Sequence, residues 1–514
     1  MRKYKIFFLI FVFCLLSSVF CSLAYANNIS VTNALLGAQD TSAHTMIVQF
    51  DISQDNAWYD AVNYDAAWVF IKYSTDSGTT WAHATLKVTD ANNLTSGIGG
   101  VKNPTGFSRG TATYSGASTN VDIDVPTEAT SGKKGAFVHL SAAAAGSSTN
   151  TLTITGLQFV WDYGTNIGTS SANDATAATA TVKVMAIEMV YVPTGTFEAG
   201  SSGTGTSEFV KTQINTANAT TAPSGSPLAG GYPSGQSAPA NASWPNGYSA
   251  FYCMKYDVSQ GQWVDFFNTL TAGQKTTRDI TGGVLNSTGK ASQGTVNRNT
   301  ISWAGGSAAA SAGANQYVGC NFLSWADVIA YADWAGLRPM TELEYEKACR
   351  GTVPAVADEY AWGSIAYTQV TGITNPGLVN ETASNSGNGL MVYGSNANVQ
   401  GPMRCGFAAT STSTRVQAGA SYYGVMELSG NLWKRPVTIG GAFTGLHGDG
   451  ALDTNGDANN VTGWPGTNAV GAGFRGGAWN DATTFARVSD RYYAALTYIN
   501  RTDSYGGRCV RTSP

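Results

Sequence analysis

The chain has 514 residues, with 29 Lys and Arg against 33 Asp and Glu, which gives a formal net charge of −4 at pH 7. This length allows two or three domains, and the lack of a basic excess argues against nucleic acid as a partner. Charged residues make up 12% of the sequence, whereas there are 60 glycines and 13 tryptophans. This composition disfavours long exposed helices and favours strands, turns and aromatic loops.

The N-terminus carries the pattern of a secretory signal peptide over residues 1–26. Arg2, Lys3 and Lys5 precede the apolar run IFFLIFVFCLLSSVF, and the small residues Ala24 and Ala26 of the sequence AYA complete a cleavage site. An uncleaved anchor is the alternative, although the run is short for a bilayer. No later segment is apolar enough to span a membrane. We therefore predict an exported protein that is extracellular, periplasmic or at the cell surface.

Residues 27–183 are predicted to form an all-β sandwich of the immunoglobulin type. Short runs rich in β-branched residues, separated by Gly, Ser, Asn and Asp, predict strands at 45–53, 66–74, 84–90, 120–126, 134–141 and 151–163. The region has no Cys-Trp-Cys core and no catalytic grouping of side chains. A small-residue stretch at 170–180 is interpreted as a linker to a second domain, which we place at 184–514.

Residues 200–245 of the second domain consist almost wholly of Gly, Ser, Thr, Ala, Asn and Pro. Such a stretch buries little apolar surface, so we predict a flexible surface insertion. Helices are predicted after it, each beginning at a Ser or Thr N-cap: Ser259, Ser324 and Thr341. The second of these ends at Gly336 and the third at Gly351.

Five cysteines follow the predicted cleavage site: Cys253, Cys320, Cys349, Cys405 and Cys509. Export permits disulfides, but an odd count leaves at least one thiol unpaired or joined to another chain. The wide spacings contain no CxxC and no Cys/His grouping, so a zinc site is not expected. Catalysis by a Cys–His pair would depend on His447, because the other three histidines lie in the cysteine-free first half.

Six motifs in order make the second half similar to the formylglycine-generating enzyme, or sulfatase-modifying factor, family. They are MVYVPTGTFEAGS (189–201), FYCMKYDVSQGQWVDFFN (251–268), FLSWADVIAYADWAGLRPMTELEYEKACRG (322–351), YAWG (360–363), YYGVMELSGNLW (422–433) and FRGGAW (474–479). The resemblance covers roughly residues 185–514 and implies an elaborated C-type lectin-like fold. The expected fold class is therefore α+β, with an immunoglobulin-like sandwich preceding a lectin-like domain.

The resemblance implies an oxidase that holds copper between two cysteines. By the family's spacing from Trp479, those cysteines fall near 481 and 486, where this chain has Asp481 and Ala486. Thiolates suit Cu(I), and a carboxylate and a methyl group do not. The family also has a calcium-binding acidic residue after GN-x-W, where this chain has Lys434 and Arg435. We therefore predict a protein without this catalysis. The alternative is a sulfatase-modifying enzyme with an altered active site.

An insertion at 445–460 carries oxygen-bearing side chains at alternate positions. Oxygen atoms spaced in this way can coordinate a calcium ion. The candidate ligands are Asp449, Asp453, Asn455 and Asp457. The alternative is a solvated, turn-rich loop, because the Gly and the bidentate Glu of an EF-hand loop are missing at their places. Calcium is the only cofactor that the sequence raises.

The C-terminal segment 480–506 is predicted to recognise a protein or glycan ligand. It mixes tyrosines with short polar residues, as adaptable binding surfaces do. The predicted ligand contacts are Trp433, Trp479, Asn480, Asp481, Asp490, Tyr492, Tyr493, Tyr498, Asn500 and Tyr505. Arginines predicted to hold the framework are Arg475, Arg487, Arg491, Arg501 and Arg508. The segment also resembles the variable proteins of diversity-generating retroelements. The alternative is that these side chains pack structurally.

Overall fold

The computed structural model describes residues 28–90, 98–128, 132–144, 150–204, 207–219, 239 and 241–514. The predicted signal peptide lies outside the described residues. Strands dominate the regular structure, and the described helices are short. None of the helices in this described part of the chain is long and apolar enough to cross a bilayer.

The strands of the first half lie in two sheets. In chain order they are β1 (Ile29–Asp40), β2 (Thr45–Asp55), β3 (Asp65–Ser74), β4 (Ala82–His83), β5 (Gly100–Lys102), β6 (Thr111–Tyr114), β7 (Ala117–Thr119), β8 (Val121–Pro126), β9 (Ala136–Leu140) and β10 (Thr151–Trp161). A five-stranded sheet has the order β1-β2-β10-β6-β7. The strand predicted at 84–90 does not form, because the strand that pairs with β3 ends at His83.

The remaining strands are shorter, apart from β11. They are β11 (Thr181–Val192), β12 (Phe197–Ala199), β13 (Thr212–Ile214), β14 (Phe251–Met254), β15 (Arg338–Pro339), β16 (Thr368–Gln369), β17 (Ile373–Thr374), β18 (Thr382–Ala383), β19 (Leu390–Met391) and β20 (Cys509–Thr512). The helices are α1 (Tyr163–Asn166), α2 (Ser171–Ala178), α3 (Gln260–Phe267), α4 (Ala272–Arg278), α5 (Trp325–Trp334) and α6 (Glu342–Arg350). Short 3₁₀ helices lie at Gly313–Asn315 and Thr483–Ala486.

A nine-stranded sheet joins the two halves of the chain. Its order is β15-β20-β14-β11-β3-β9-β8-β5, with β4 also paired to β3. The long strand β11 pairs with β3 along Thr181 to Val190 and with β14 from Met189 to Val192. The boundary predicted at 183/184 therefore falls inside a strand that both halves share. The division into domains stays a prediction.

Strand β3 supplies two cores from its two faces, because successive side chains in a strand point to opposite sides. Val69 and Ile71 face the core between the two sheets of the first half, where they meet residues of β2 and β10. Trp68 and Phe70 face the opposite way, into the core that α3 and α5 cover. Both faces of β3 are therefore covered by a core, so every residue of this strand is buried.

The predicted helices are confirmed, and the predicted linker at 170–180 is wrong. Helices α3, α5 and α6 all begin with capping boxes, at Ser259, Ser324 and Thr341. Residues 170–180 contain helix α2, which Ser170 caps.

Much of the insertion predicted at 200–245 lies outside the described residues, so its flexibility stays a prediction. In its described part several large apolar side chains are buried, among them Phe209, Ile214 and Trp244. These side chains pack in one apolar cluster with residues of α5 and α6.

Candidate functional site

Buried ion pairs fix the C-terminal segment to helix α6. Arg475 donates to Glu342 at 2.8 Å and to Glu346 at 2.6 Å, and Arg491 donates to both carboxylate oxygens of Glu342 at 2.7 and 2.8 Å. All four side chains are buried. Burial alone would raise the pKa of Glu342, but Arg491 and Arg475 lower it to about 2. The carboxylate therefore stays charged and holds two arginines in place.

Two further arginines attach the end of the segment to other elements. Arg508 donates to the carbonyl oxygens of Met254 and Met426, both at 2.6 Å, and to Asp257 at 3.1 Å. Arg501 donates to both carboxylate oxygens of Asp327 in α5 at 2.7 Å.

Arg487 differs from the other framework arginines in its exposure. Its side chain is 23% exposed and pairs with Asp358 at 2.9 Å. It also donates to the hydroxyl of Thr204 at 3.2 Å. A pair in contact with water is weaker than one inside the core, so Arg487 contributes less to the framework than Arg475 does.

The two tryptophans predicted to contact ligand are buried. The ring of Trp433 packs against Phe474, Phe485 and Tyr493 at centroid distances of 5.8, 6.0 and 5.7 Å. Trp479 lies in a separate apolar cluster and donates its indole N–H to the carbonyl oxygen of Asp503 at 2.9 Å. Both indoles therefore support the surface from below and do not form its exposed part.

Fewer residues of the segment are exposed than were predicted to contact a ligand. Tyr492 is 40% exposed and Tyr498 is 51% exposed, and Asn500 is also exposed. Ile499, which the sequence reasoning missed, is 60% exposed between them. Tyr493 is partly covered, because it stacks on Phe485 at 5.3 Å and contacts Tyr492 at 4.7 Å. Tyr505 is partly covered by Phe474, and Asn480 is half-buried.

Two carboxyl groups border this surface in partly buried positions. Burial raises the pKa of Asp481 to about 6, although hydrogen bonds from Trp433 and from the Ala478 amide offset part of the rise. Burial likewise raises the pKa of Asp490 to about 6, and its carboxylate accepts the Tyr492 amide at 3.3 Å. Both groups therefore change charge close to neutral pH.

No thiol lies at positions 481 and 486, where the family resemblance implies the copper-binding cysteines. Ala486 is buried at the end of a 3₁₀ helix and packs with Tyr360, Trp362 and Met391. The five described cysteines are all buried and unpaired, and none lies in the segment 480–506. Burial raises the pKa of Cys253 and Cys349 to about 12, so both remain thiols at neutral pH. These residues do not fit a copper centre.

His447 cannot serve as the partner of a catalytic cysteine. Its Nε2 accepts the Thr512 amide at 2.9 Å, and its Nδ1 lies 3.2 Å from a carboxylate oxygen of Glu128. Burial, followed by the nearby charge of Arg511, lowers the pKa of His447 to about 3. The imidazole is thus committed to a structural contact between the two halves of the chain.

Lys434 lies where the family has an acidic calcium ligand. The side chain is buried, and its ammonium donates to the carbonyl oxygen of Gly430 at 2.7 Å and lies 3.8 Å from Asp257. Burial lowers the pKa of Lys434 to about 8, against the pull of Asp257. A cation already occupies the neighbourhood, so these residues do not fit a calcium ion at this position.

Three of the four candidate calcium ligands of the 445–460 insertion, the aspartates, have side chains engaged in other contacts, and the fourth is Asn455. Asp453 accepts the amides of Asn455 and Asp457 at 2.9 Å, as in a turn. Asp457 accepts Arg278 at 2.6 Å, and Asp449 accepts the Ala451 amide at 2.9 Å. Within the described ranges, no three Asp, Glu, His or Cys side chains gather in a way that could hold a metal ion.

The family of the chain follows from its sequence match. Residues 174–513, about two thirds of the chain, match the sulfatase-modifying factor enzyme 1-like domain. The chain belongs to this family. No curated protein matches the sequence. A solved structure titled "Crystal Structure of CarF" is 13% identical, over 63% of this chain and 99% of its own, but the TM-score of 0.25 is too low to define a shared fold.

Proposed function

We propose that the chain is an exported, non-catalytic binding protein. Its sulfatase-modifying-factor domain has a C-type lectin-like fold and presents residues 480–506 to a protein or glycan ligand, with an immunoglobulin-like sandwich as spacer. One observation carries the proposal: the positions that would hold copper are Asp481 and Ala486, while every described cysteine is buried elsewhere. A domain of this family without a thiol pair has no means to bind Cu(I) as a dithiolate.

The surroundings of the exposed residues support a binding role. Tyr492 and Tyr498 offer large, rigid contact areas at a low cost in conformational entropy. They lie on a segment that Arg475 and Arg491 tie to helix α6 through buried pairs. A rigid base of this kind preorganises the surface, which reduces the free energy lost on binding.

The alternative is an enzyme with an altered active site, and one feature favours it. Asp481 has a pKa raised to about 6 by burial, at one of the positions where the family places a reactive thiol. A carboxyl group with such a pKa suits general acid–base catalysis. This alternative requires a substrate that reacts by proton transfer without copper.

Binding by the exposed tyrosines can be tested with a display library of peptides and a glycan array. We expect ligands retained by the full chain to lose affinity in the double variant Tyr492→Ala and Tyr498→Ala. Tyr367→Ala is the matched control, because Tyr367 is 43% exposed outside the segment. Ligands that bind the double variant as well as the parent would exclude this surface. A neighbouring reverse-transcriptase gene with a near-copy of the segment's coding sequence would support the retroelement resemblance.

A further inference from the structure

A groove opens where the first half of the chain meets the family domain, outside the segment 480–506. It lies between residues 56–63 and residues 409–426 and has a volume of about 360 Å³. Small-ligand sites have volumes of about 300–1,000 Å³. Three aromatic side chains line it, those of Trp58, Tyr422 and Tyr423. Its polar lining includes Asn56, Asp60 and Arg415.

Glycines hold two of the aromatic rings in place. The ring of Trp58 lies against Gly424, where an added Cβ would be 3.1 Å from the indole and φ is +87°. The ring of Tyr422 rests on Gly351, where an added Cβ would be 2.1 Å from the ring. Neither glycine can be replaced without moving a ring. The walls of the groove are therefore set by packing before any ligand arrives.

Hydrogen bonds join the two sides of the groove. The side-chain amide of Asn63 donates to the carbonyl oxygen of Tyr423 at 2.7 Å. Lys255 lies 4.8 Å from the centre of the Trp58 ring and donates to Asp65 at 2.9 Å. Both contacts are buried between the halves of the chain. The groove is thus a fixed feature of this junction.

The groove contains polar groups with unused bonding capacity. Asp60 uses one carboxylate oxygen for the amides of Val62 and Asn63 and is exposed. Arg415 is exposed and has further N–H donors beyond the one given to its own loop.

We propose that this groove binds a neutral oligosaccharide. A sugar ring has an apolar face that packs on an aromatic ring and hydroxyls that pair with amide, carboxylate and guanidinium groups. The outward charges of the groove are balanced, with Asp60 against Arg415. The ammonium of Lys255 beneath Trp58 is already neutralised by Asp65 and by Glu188 at 3.3 Å. A highly charged ligand would therefore find no excess of opposite charge.

Calorimetric titration of the full chain with cellotetraose, chitotetraose and maltotetraose tests the proposal. We expect at least one of the three to bind, and Trp58→Ala to weaken that binding at least tenfold. Asp60→Asn keeps an oxygen for the Val62 and Asn63 amides and removes only the charge and the second carboxylate oxygen, so it should weaken binding about fivefold without lowering the melting temperature. Tyr367→Ala is the control, because this exposed tyrosine lies outside the groove.

Several outcomes would overturn the proposal. They are the absence of heat and of saturation-transfer signals with all three sugars, equal affinities for the parent and Asp60→Asn, and binding of polygalacturonate or a peptide alone. Asp60→Asn separates a ligand contact from a folding role, which Trp58→Ala alone would not do. Since the groove shares no residue with 480–506, failure here leaves the proposed function of that segment standing.

Discussion

The arginines that fix the C-terminal segment and the tyrosines on its surface differ in their burial. Arg475 and Arg491 point inward, are fully buried and pair with the carboxylates of α6. Tyr492 and Tyr498 point outward and are among the exposed large side chains. One stretch of chain therefore carries both a framework and a surface. Substitutions in the first set should act on folding, and substitutions in the second set should act on binding.

The largest expected effect is on the framework. Arg475→Ala should lower the free energy of unfolding by about 3–5 kcal/mol, because it removes one of the two arginines that pair with each of the buried carboxylates Glu342 and Glu346. Urea denaturation of the full chain measures the change. Arg487→Ala is the matched control, and its loss should be about 1 kcal/mol or less, since the pair with Asp358 is partly exposed. Equal losses in the two variants would erase the distinction between buried and exposed arginines.

The tyrosines should separate binding from stability. Tyr492→Ala should weaken binding of a selected ligand by about 2 kcal/mol if Tyr492 is a hot spot, while its stability changes by about 0.5 kcal/mol or less. Tyr493→Ala should cost about 1–3 kcal/mol of stability as well, because Tyr493 packs on Phe485 and Trp433. Titration calorimetry and urea denaturation report the two quantities. Unfolding of Tyr492→Ala before any loss of binding would contradict an exposed contact role.

A pH dependence should distinguish a buried carboxyl from an exposed one. The pKa of Asp481 is about 6 in the folded chain against 3.8 as the ordinary value. The folded state thus binds its proton more tightly, so Asp481 lowers stability increasingly as pH rises from about 4 to 6. Asp481→Asn should therefore raise the melting temperature at pH 8 and leave it nearly unchanged at pH 4.

Asp76 provides the control of opposite sign. Hydrogen bonds from Thr80 and Ser74 lower the pKa of this exposed carboxyl to about 2. Its charged form is favoured by folding, so Asp76→Asn should lower the melting temperature at pH 8. A rise in both variants would show that the effect reports net charge alone and does not depend on the local site.

The smallest expected effect concerns calcium. We expect that EDTA leaves the melting temperature of the chain unchanged, because Lys434 supplies a buried cation and the oxygens of Asp453 and Asp457 are bonded within the protein. Differential scanning fluorimetry with and without EDTA measures this. A fall of several degrees, abolished in Asp453→Ala, would instead establish calcium in the 445–460 insertion.

Local features of the fold could be predicted from the sequence. The starts of α3, α5 and α6 were predictable because a capping box lies within four residues of chain. The same pattern at Thr271 and Gln274 marks α4, which the sequence reasoning overlooked. Composition could not identify the buried side chains of the described part of 200–245, since an average over a polar stretch conceals single apolar residues such as Phe209 and Trp244.

The rest of the fold depends on contacts between residues that are far apart in the sequence. The pairing of β3 with β11 and the bonds between Glu342 and Arg491, which are 149 positions apart, have no local pattern. The same holds for exposure: Tyr492 and Tyr493 are adjacent and alike in sequence, yet only Tyr492 is exposed. The sequence therefore supplied 480–506 as a candidate surface, which stays a prediction, while the supporting and exposed residues of this segment could not be told apart.

Incubation of the full chain with a Cys-x-Pro-x-Arg peptide, copper and oxygen tests the loss of catalysis most directly. Mass spectrometry and hydrazide capture would follow the peptide, with an active member of the family as positive control. We expect the thiol to remain intact, because Asp481 and Ala486 offer copper no thiolate pair. Formation of an aldehyde at the peptide cysteine, above the level seen without the protein, would contradict the proposed non-catalytic function.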